Sequence, residues 1–207
     1  MKKIMISGPD GTGKSTISLA LETYYKRENI SVKSIWLRFN HYFAKIINVI
    51  GRVMGKSYYE NYSWGRAGYH NYHGTIGYFY ILAVYFDHII FRIFLRKKHL
   101  EDKGADILII DRYILDIMAD LIVDTAKNEL VLKLFLPFAK KELEVSNAFI
   151  LKCTPDIVIL RRSDIKDDKS WEAKREAYVF LAKKLNIKEI DTGELNVEQI
   201  VKVITSA

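Results

Sequence analysis

Lys3-Ile4-Met5-Ile6-Ser7-Gly8-Pro9-Asp10-Gly11-Thr12-Gly13-Lys14-Ser15-Thr16-Ile17 runs from an apolar strand, through a glycine-rich loop, into an amphipathic helix. Gly8, Gly13, Lys14 and Ser15 satisfy the pattern Gly-x-x-x-x-Gly-Lys-Ser, and Gly11 adds a residue free to take positive φ. Glycines let successive backbone N–H groups point at phosphate oxygens, and the helix that follows aims its positive dipole end at the same place. The Lys14 ammonium is expected to bridge the terminal phosphates of ATP, and the Ser15 hydroxyl to bind the accompanying Mg²⁺. The expected ATP-binding stretch is therefore Gly8, Pro9, Asp10, Gly11, Thr12, Gly13, Lys14, Ser15 and Thr16. Such a short pattern also occurs by chance, but here a strand precedes it and a helix follows, which is the context the chemistry needs.

Outward from the loop, apolar runs of strand length alternate with helical patterns, the signature of an α/β chain with a parallel sheet covered by crossover helices. Five strands are predicted, over Lys3 to Ser7, Ser31 to Leu37, Asp106 to Asp111, Asn147 to Cys153 and Ile187 to Asp191. Helices are expected to start near Gly13, His41, Thr75, Ile114, Pro155, Trp171 and Val197, with a second piece through Leu130 to Glu142 after the fourth. No repeat and no Ser/Gly/Pro-rich linker divides the chain, so residues 1–207 read as a single domain. The segment 57–85 stands apart, with eight of the chain's 13 tyrosines. Its first half has no clean period, so it reads as a surface loop leading into an aromatic-rich core helix, or as a wall facing a substrate.

The third strand ends in Asp111-Arg112-Tyr113. Beside a phosphate loop, an acidic strand end lies near the magnesium, which makes Ser15 and Asp111 the expected metal residues. A carboxylate at this position also serves simply as a cap for the next helix. Arg112 offers a fork of donors for a second phosphate.

Composition narrows the partners. A net charge of +7 and a pI near 9.3 favour anions, whether nucleotide, nucleic acid or membrane surface. The basic residues are spread along the chain without an RNA-binding motif, so no nucleic-acid partner is expected. The longest apolar run, Ile76 to Phe86, is broken by Asp87 and His88, short of the roughly twenty residues that span a bilayer. No transmembrane segment is expected. One cysteine, Cys153, and an N-terminus without a signal-peptide pattern read as a cytoplasmic protein. His70-x-x-His73 lacks an acidic or cysteine partner at ligand spacing, which argues against a structural zinc.

Taken together, Gly8-Pro9-Asp10-Gly11-Thr12-Gly13-Lys14-Ser15-Thr16 and Asp111-Arg112-Tyr113 resemble thymidylate kinase, within the P-loop nucleoside monophosphate kinases. Pro155-Asp156-Ile157-Val158-Ile159-Leu160-Arg161 is similar to the segment that opens that family's lid over ATP. Arg175-Glu176-Ala177-Tyr178 is similar to the helix after the lid, and Ile190-Asp191-Thr192 to the loop that reaches the adenine. The order of the pieces along the chain agrees as well. The resemblance implies a five-stranded P-loop kinase fold with a short lid at about 161–170, Mg-ATP as phosphoryl donor and dTMP as acceptor. It implies catalytic roles for Lys14, Arg112, Arg161 and Arg162, and adenine-side contacts for Asp191 and Thr192. It also implies an acceptor pocket drawn from Asp10, Arg38, Phe39, Asp111, Arg112 and Tyr113, and a homodimer.

Departures from the family pattern bear on the acceptor. After Arg38-Phe39 the family has proline and soon a second arginine, whereas this chain has Asn40, His41 and Tyr42. The family's base-contacting arginine falls near His88, with Arg92 and Arg96 one and two turns along the same face as substitutes. Asp116 replaces a serine, and Asp120 follows one turn later; the pair reads either as a wet helix face or as part of a substrate site. These differences leave another nucleotide, a nucleoside or a sugar-like molecule as an alternative acceptor. A regulator or nucleic-acid-binding module that uses ATP only as a switch is the reading from another class.

Overall fold

The computed structural model describes residues 1–37, 42–62, 65–95 and 104–207. Its elements in chain order begin with β1 (Lys2–Ser7), α1 (Lys14–Arg27), β2 (Val32–Trp36), α2 (Phe43–Val53), β3 (Ser57–Tyr62), β4 (Gly65–His70) and α3 (Thr75–Leu95). They continue with β5 (Ile107–Asp111), α4 (Ile114–Thr125), α5 (Asn128–Leu143), β6 (Ser146–Lys152), α6 (Pro155–Arg161), a 3-10 turn (Ser163–Asp167), α7 (Trp171–Leu185), β7 (Lys188–Asp191) and α8 (Val197–Thr205). Contacts divide the chain into two compact units.

The first unit, Met1–Arg38, Lys103–Asp116 and Phe138–Ala207, contains a five-stranded sheet in the order β2-β5-β1-β6-β7, with every pairing parallel. Parallel strands are covered on both faces, and β1 and β5 accordingly bury nearly every side chain. Ile4, Ile6, Ile109, Phe149, Leu151 and Ile190 face Ile17 and Leu21 of α1 and Ile200 and Ile204 of α8 in one apolar cluster. An Asn196 capping box starts α8, its side chain accepting from Gln199 N–H while the Gln199 side chain accepts from Asn196 N–H. Register pairs Ile6 of β1 with Asp111 of β5, so the loops leaving these two strands emerge side by side at the carboxyl edge of the sheet. In open α/β sheets that edge is where ligands bind.

The second unit, Phe39–Asp102 and Ile117–Pro137, is built from α2, the β3–β4 hairpin, α3 and the remainder of α4 and α5. The antiparallel hairpin pairs Ser57 with His70 through Tyr62 with Gly65. It corrects the expectation of a loop over the first half of 57–85: adjacent Tyr58 and Tyr59 on a half-exposed ribbon hide the two-residue period. Tyr72 is fully buried, stacks on His70 at 5.1 Å and meets Tyr80 edge-on at 4.7 Å. Asp87 of α3 is fully buried and accepts from the backbone N–H groups of Tyr42, Phe43 and Ala44 at 3.0, 2.8 and 2.9 Å. A side chain distant in sequence thus caps α2, in the place a local Ser or Asp fills elsewhere. Thr75–Ile93 has the length and apolar composition to cross a bilayer, longer than the run Ile76 to Phe86 that the sequence suggested because the helix continues through Asp87 and His88, and 44% of that stretch is buried inside the protein.

Candidate functional site

The glycine loop leaves β1 at Ser7 and enters α1 at Lys14. Gly8, Gly11 and Gly13 have φ of 146°, 83° and 88°, values that L-residues rarely adopt. A Cβ on Gly11 would also lie 2.5 Å from Cγ1 of Val158, so the loop is pressed against α6. Gly13 is the N-cap of α1 and supplies no side-chain acceptor, which leaves the first N–H groups of that helix directed at the loop. Thr12 Oγ1 donates to the Pro9 carbonyl at 2.8 Å and braces the turn from within.

Lys14 is buried, its Nζ donating to the Gly8 and Pro9 carbonyls at 2.7 Å each and lying 3.4 Å from Asp10 Oδ1. Burial, and then the positive charge of Arg112, pulls its pKa below the usual lysine value. Arg112 holds the same Asp10 oxygen in an ion pair. Burial works against ionising Asp10, but Lys14 and Arg112 outweigh it and hold the carboxyl at about 2. Arg112 reaches it from φ 63°, a left-handed conformation unusual for a residue with a long side chain.

Asp111 ends β5 beside the loop, with Ser15 Oγ at 3.5 Å from its Oδ2. Its Oδ1 is buried without a hydrogen-bond partner among the described residues, and burial raises its pKa. Two hard oxygen donors, one of them unsatisfied, fit Mg²⁺, which takes few protein ligands and completes its shell from phosphate and water. Tyr113 is buried directly behind, next to the start of α4.

Asp116 is not on a wet face. It is buried, accepting from Ser7 Oγ at 2.7 Å, Tyr178 OH at 2.7 Å and Tyr113 N–H at 3.0 Å. Its position on the inward side of α4 explains this, and burial raises its pKa. The carboxylate ties the end of β1, the turn after β5 and α7 together beneath the loop. Asp120, one turn on, is exposed.

Trp171 was invisible to sequence reasoning as a site residue. Its Nε1 donates to the Asp10 carbonyl at 2.8 Å across 161 residues of sequence, and it packs with Cys153, Val158 and Ile165 in one cluster. Through Ile165 the expected lid segment is anchored rather than loose. Arg161 is also held: it donates to Thr192 Oγ1 at 3.0 Å and to the Thr192 carbonyl at 2.5 Å. Arg162 is half in solvent and paired with Asp164 at 2.5 Å. Asp191 closes the next turn by accepting from Gly193 N–H at 2.8 Å. A cavity of about 280 Å³ opens between Pro9, Cys153, Tyr178, Val179, Glu189 and Asp191.

The first unit therefore gathers Gly8 to Thr16, Asp111 to Tyr113 and, through the Arg161–Thr192 bonds, the ends of α6 and β7. Arg38 and Phe39 lie outside the described residues. His88 and Arg92 belong to α3 in the second unit, where His88 is fully buried with its ring 5.9 Å from that of Phe135. Burial, and then the charge of Arg92, lowers the His88 pKa to about 3. Comparison with protein-family models and with curated proteins finds no match.

Proposed function

We propose that this chain is a P-loop phosphotransferase that binds Mg-ATP in the loop Gly8 to Thr16. Within that class it is a thymidylate kinase-like enzyme, moving the γ-phosphoryl group of ATP to dTMP and giving dTDP and ADP. One observation carries the reading: Lys14 and Arg112 converge on the same carboxylate oxygen of Asp10, at the mouth of a glycine loop whose helix N-terminus has no side-chain cap. Two cations from different strand ends are the arrangement that brings two phosphate groups together against their repulsion.

In this reading Lys14 leaves the Gly8 and Pro9 carbonyls for the terminal phosphates, and Arg112 takes the acceptor phosphate. An acceptor phosphate oxygen bonds to the γ-phosphorus as the bond to the β,γ-bridging oxygen breaks, and ADP leaves. Ser15 and Asp111 would hold Mg²⁺, which would supply neutralisation of the charge on the transferred group. Trp171 and Asp116 keep Asp10, β1 and α7 in place, so that positioning supplies most of the rate. Asp10 within the loop fits a contact to the sugar hydroxyl of the acceptor, and Asp191 and Thr192 a place beside the adenine. The same reading includes a homodimer, for which α3 offers Phe79, Leu82 and Phe86 exposed.

A coupled ADP-release assay across nucleoside monophosphates and nucleosides tests the assignment. ADP release with dTMP, abolished by Lys14→Ala, is expected. Turnover retained in Lys14→Ala would remove the loop from the reaction. Turnover with other acceptors but not dTMP would favour the alternative that Asn40-His41-Tyr42 motivates, a kinase for another nucleotide, a nucleoside or a sugar-like molecule.

A further inference from the structure

Helix α2 is inside out. Its inner face is made of Ala44, Ile47, Asn48 and Gly51, spaced to lie on one side of the helix, with Ala44 and Gly51 buried and Ile47 and Asn48 partly so. Tyr72 OH donates to Asn48 Oδ1 at 2.8 Å, and a Cβ on Gly51 would lie 2.5 Å from the Tyr72 ring. This side is therefore shaped to its neighbour. The large apolar residues Phe43, Ile46, Ile50 and Val53, at helical spacing i, i+3, i+7 and i+10, point the other way and are exposed by 47%, 58%, 45% and 86%. A helix of a soluble protein normally turns that stripe to the core.

We infer that this outward face of α2 binds the surface of an anionic lipid bilayer. Charge selects that occupant. Lys45 and Arg52 are exposed on the same helix and Lys56 follows it, while no acidic residue occurs from Tyr42 to Tyr59. The Arg52 guanidinium lies 5.8 Å from the ring of Tyr59, whose side chain, apolar in body and polar at its tip, suits the headgroup level. A second copy meeting this face about a two-fold axis would set the same cations against themselves, with no carboxylate in Tyr42 to Tyr59 to pair them. Anionic headgroups supply the missing countercharge, and an apolar stripe bordered along one side by Lys45 and Arg52 is the pattern of a helix that lies in the interface. The Asp87 carboxylate, by capping α2 at three backbone N–H groups, holds this face in place before any lipid is met.

The inference is independent of the proposed kinase activity. It is tested by co-sedimentation of the full chain with vesicles of phosphatidylcholine alone or mixed with phosphatidylglycerol, alongside its sedimentation equilibrium. The wild type is expected to bind the anionic vesicles, more weakly as salt is raised, and to leave the neutral ones unbound. Ile46→Asp/Val53→Asp should abolish binding with the melting temperature unchanged. Lys45→Gln and Arg52→Gln should each weaken partitioning roughly five-fold. Lys14→Ala should bind vesicles as the wild type does. Absence of binding to anionic vesicles, or equal binding by Ile46→Asp/Val53→Asp, would overturn the inference. So would a wild-type dimer that this double variant converts to monomer while vesicles bind neither protein, since a second copy would then own the face.

Discussion

At the scale of single residues, the glycine loop was legible because its conformation depends on local spacing, with Gly8, Gly11 and Gly13 all at positive φ. Gly8, Gly13, Lys14 and Ser15 lie within one eight-residue stretch of sequence and stay near one another whatever surrounds them. Trp171 and Asp116 were not legible in their roles. Each acts through partners far along the chain, and nothing near Trp171 marks it as the donor to the Asp10 carbonyl. Asp116 had equal claims to solvent and to substrate until its bonds to Ser7 and Tyr178 appeared. Replacing Gly11 by Ala should cripple ATP binding, since φ of 83° and the 2.5 Å approach to Val158 both oppose a side chain; calorimetric titration with Mg-ATP reads the loss. His88 makes a separate prediction. Its folded pKa, about 3, lies below the ordinary 6.5, so between these values the unfolded chain binds the extra proton. Stability is full above 6.5 and falls as the pH is lowered through that window, by up to about 1.4 kcal/mol per pH unit. Denaturant unfolding of His88→Leu should be less sensitive to pH from 7 to 4 than the wild type, and an unchanged slope would refute the assignment.

At the scale of elements, the buried central strands were the most legible. The central strands β1 and β5 read as apolar runs because both faces are covered, as in Ile107-Leu108-Ile109-Ile110, whereas the outer strands β2 and β7 are mixed and mostly unburied. The β3–β4 hairpin was missed because it is half-exposed and mixes tyrosine with glycine and charge. The orientation of α2 was hidden for a different reason. Its sequence shows the helical period but not which side faces inward, and only the fit of Gly51 to Tyr72 decides that. The capping of α2 gives this scale its prediction. Asp87→Ala leaves the N–H groups of Tyr42, Phe43 and Ala44 without their acceptor and should destabilise the protein by roughly 2–4 kcal/mol, read from urea unfolding. A change within about 0.5 kcal/mol would mean that water replaces the carboxylate at no loss.

For the whole molecule, the α/β class followed from the alternation of strand and helix patterns, while the strand order β2-β5-β1-β6-β7 did not, since pairing partners leave no mark on a single sequence. That order sets β5 next to β1 and brings Asp111 and Arg112 to the glycine loop. A ligand that binds the folded chain alone must stabilise it. Mg-ATP at about 100 times its dissociation constant should add roughly 2.7 kcal/mol, seen as a rise in melting temperature that Lys14→Ala removes. The most direct measurement follows the phosphoryl group itself: the purified chain is incubated with Mg²⁺, γ-labelled ATP and dTMP, and the nucleotides are separated. The label should appear in dTDP with the wild type and stay in ATP with Lys14→Ala. Label that remains in ATP with the wild type whatever nucleoside monophosphate is offered, or that emerges only as inorganic phosphate, would contradict the account.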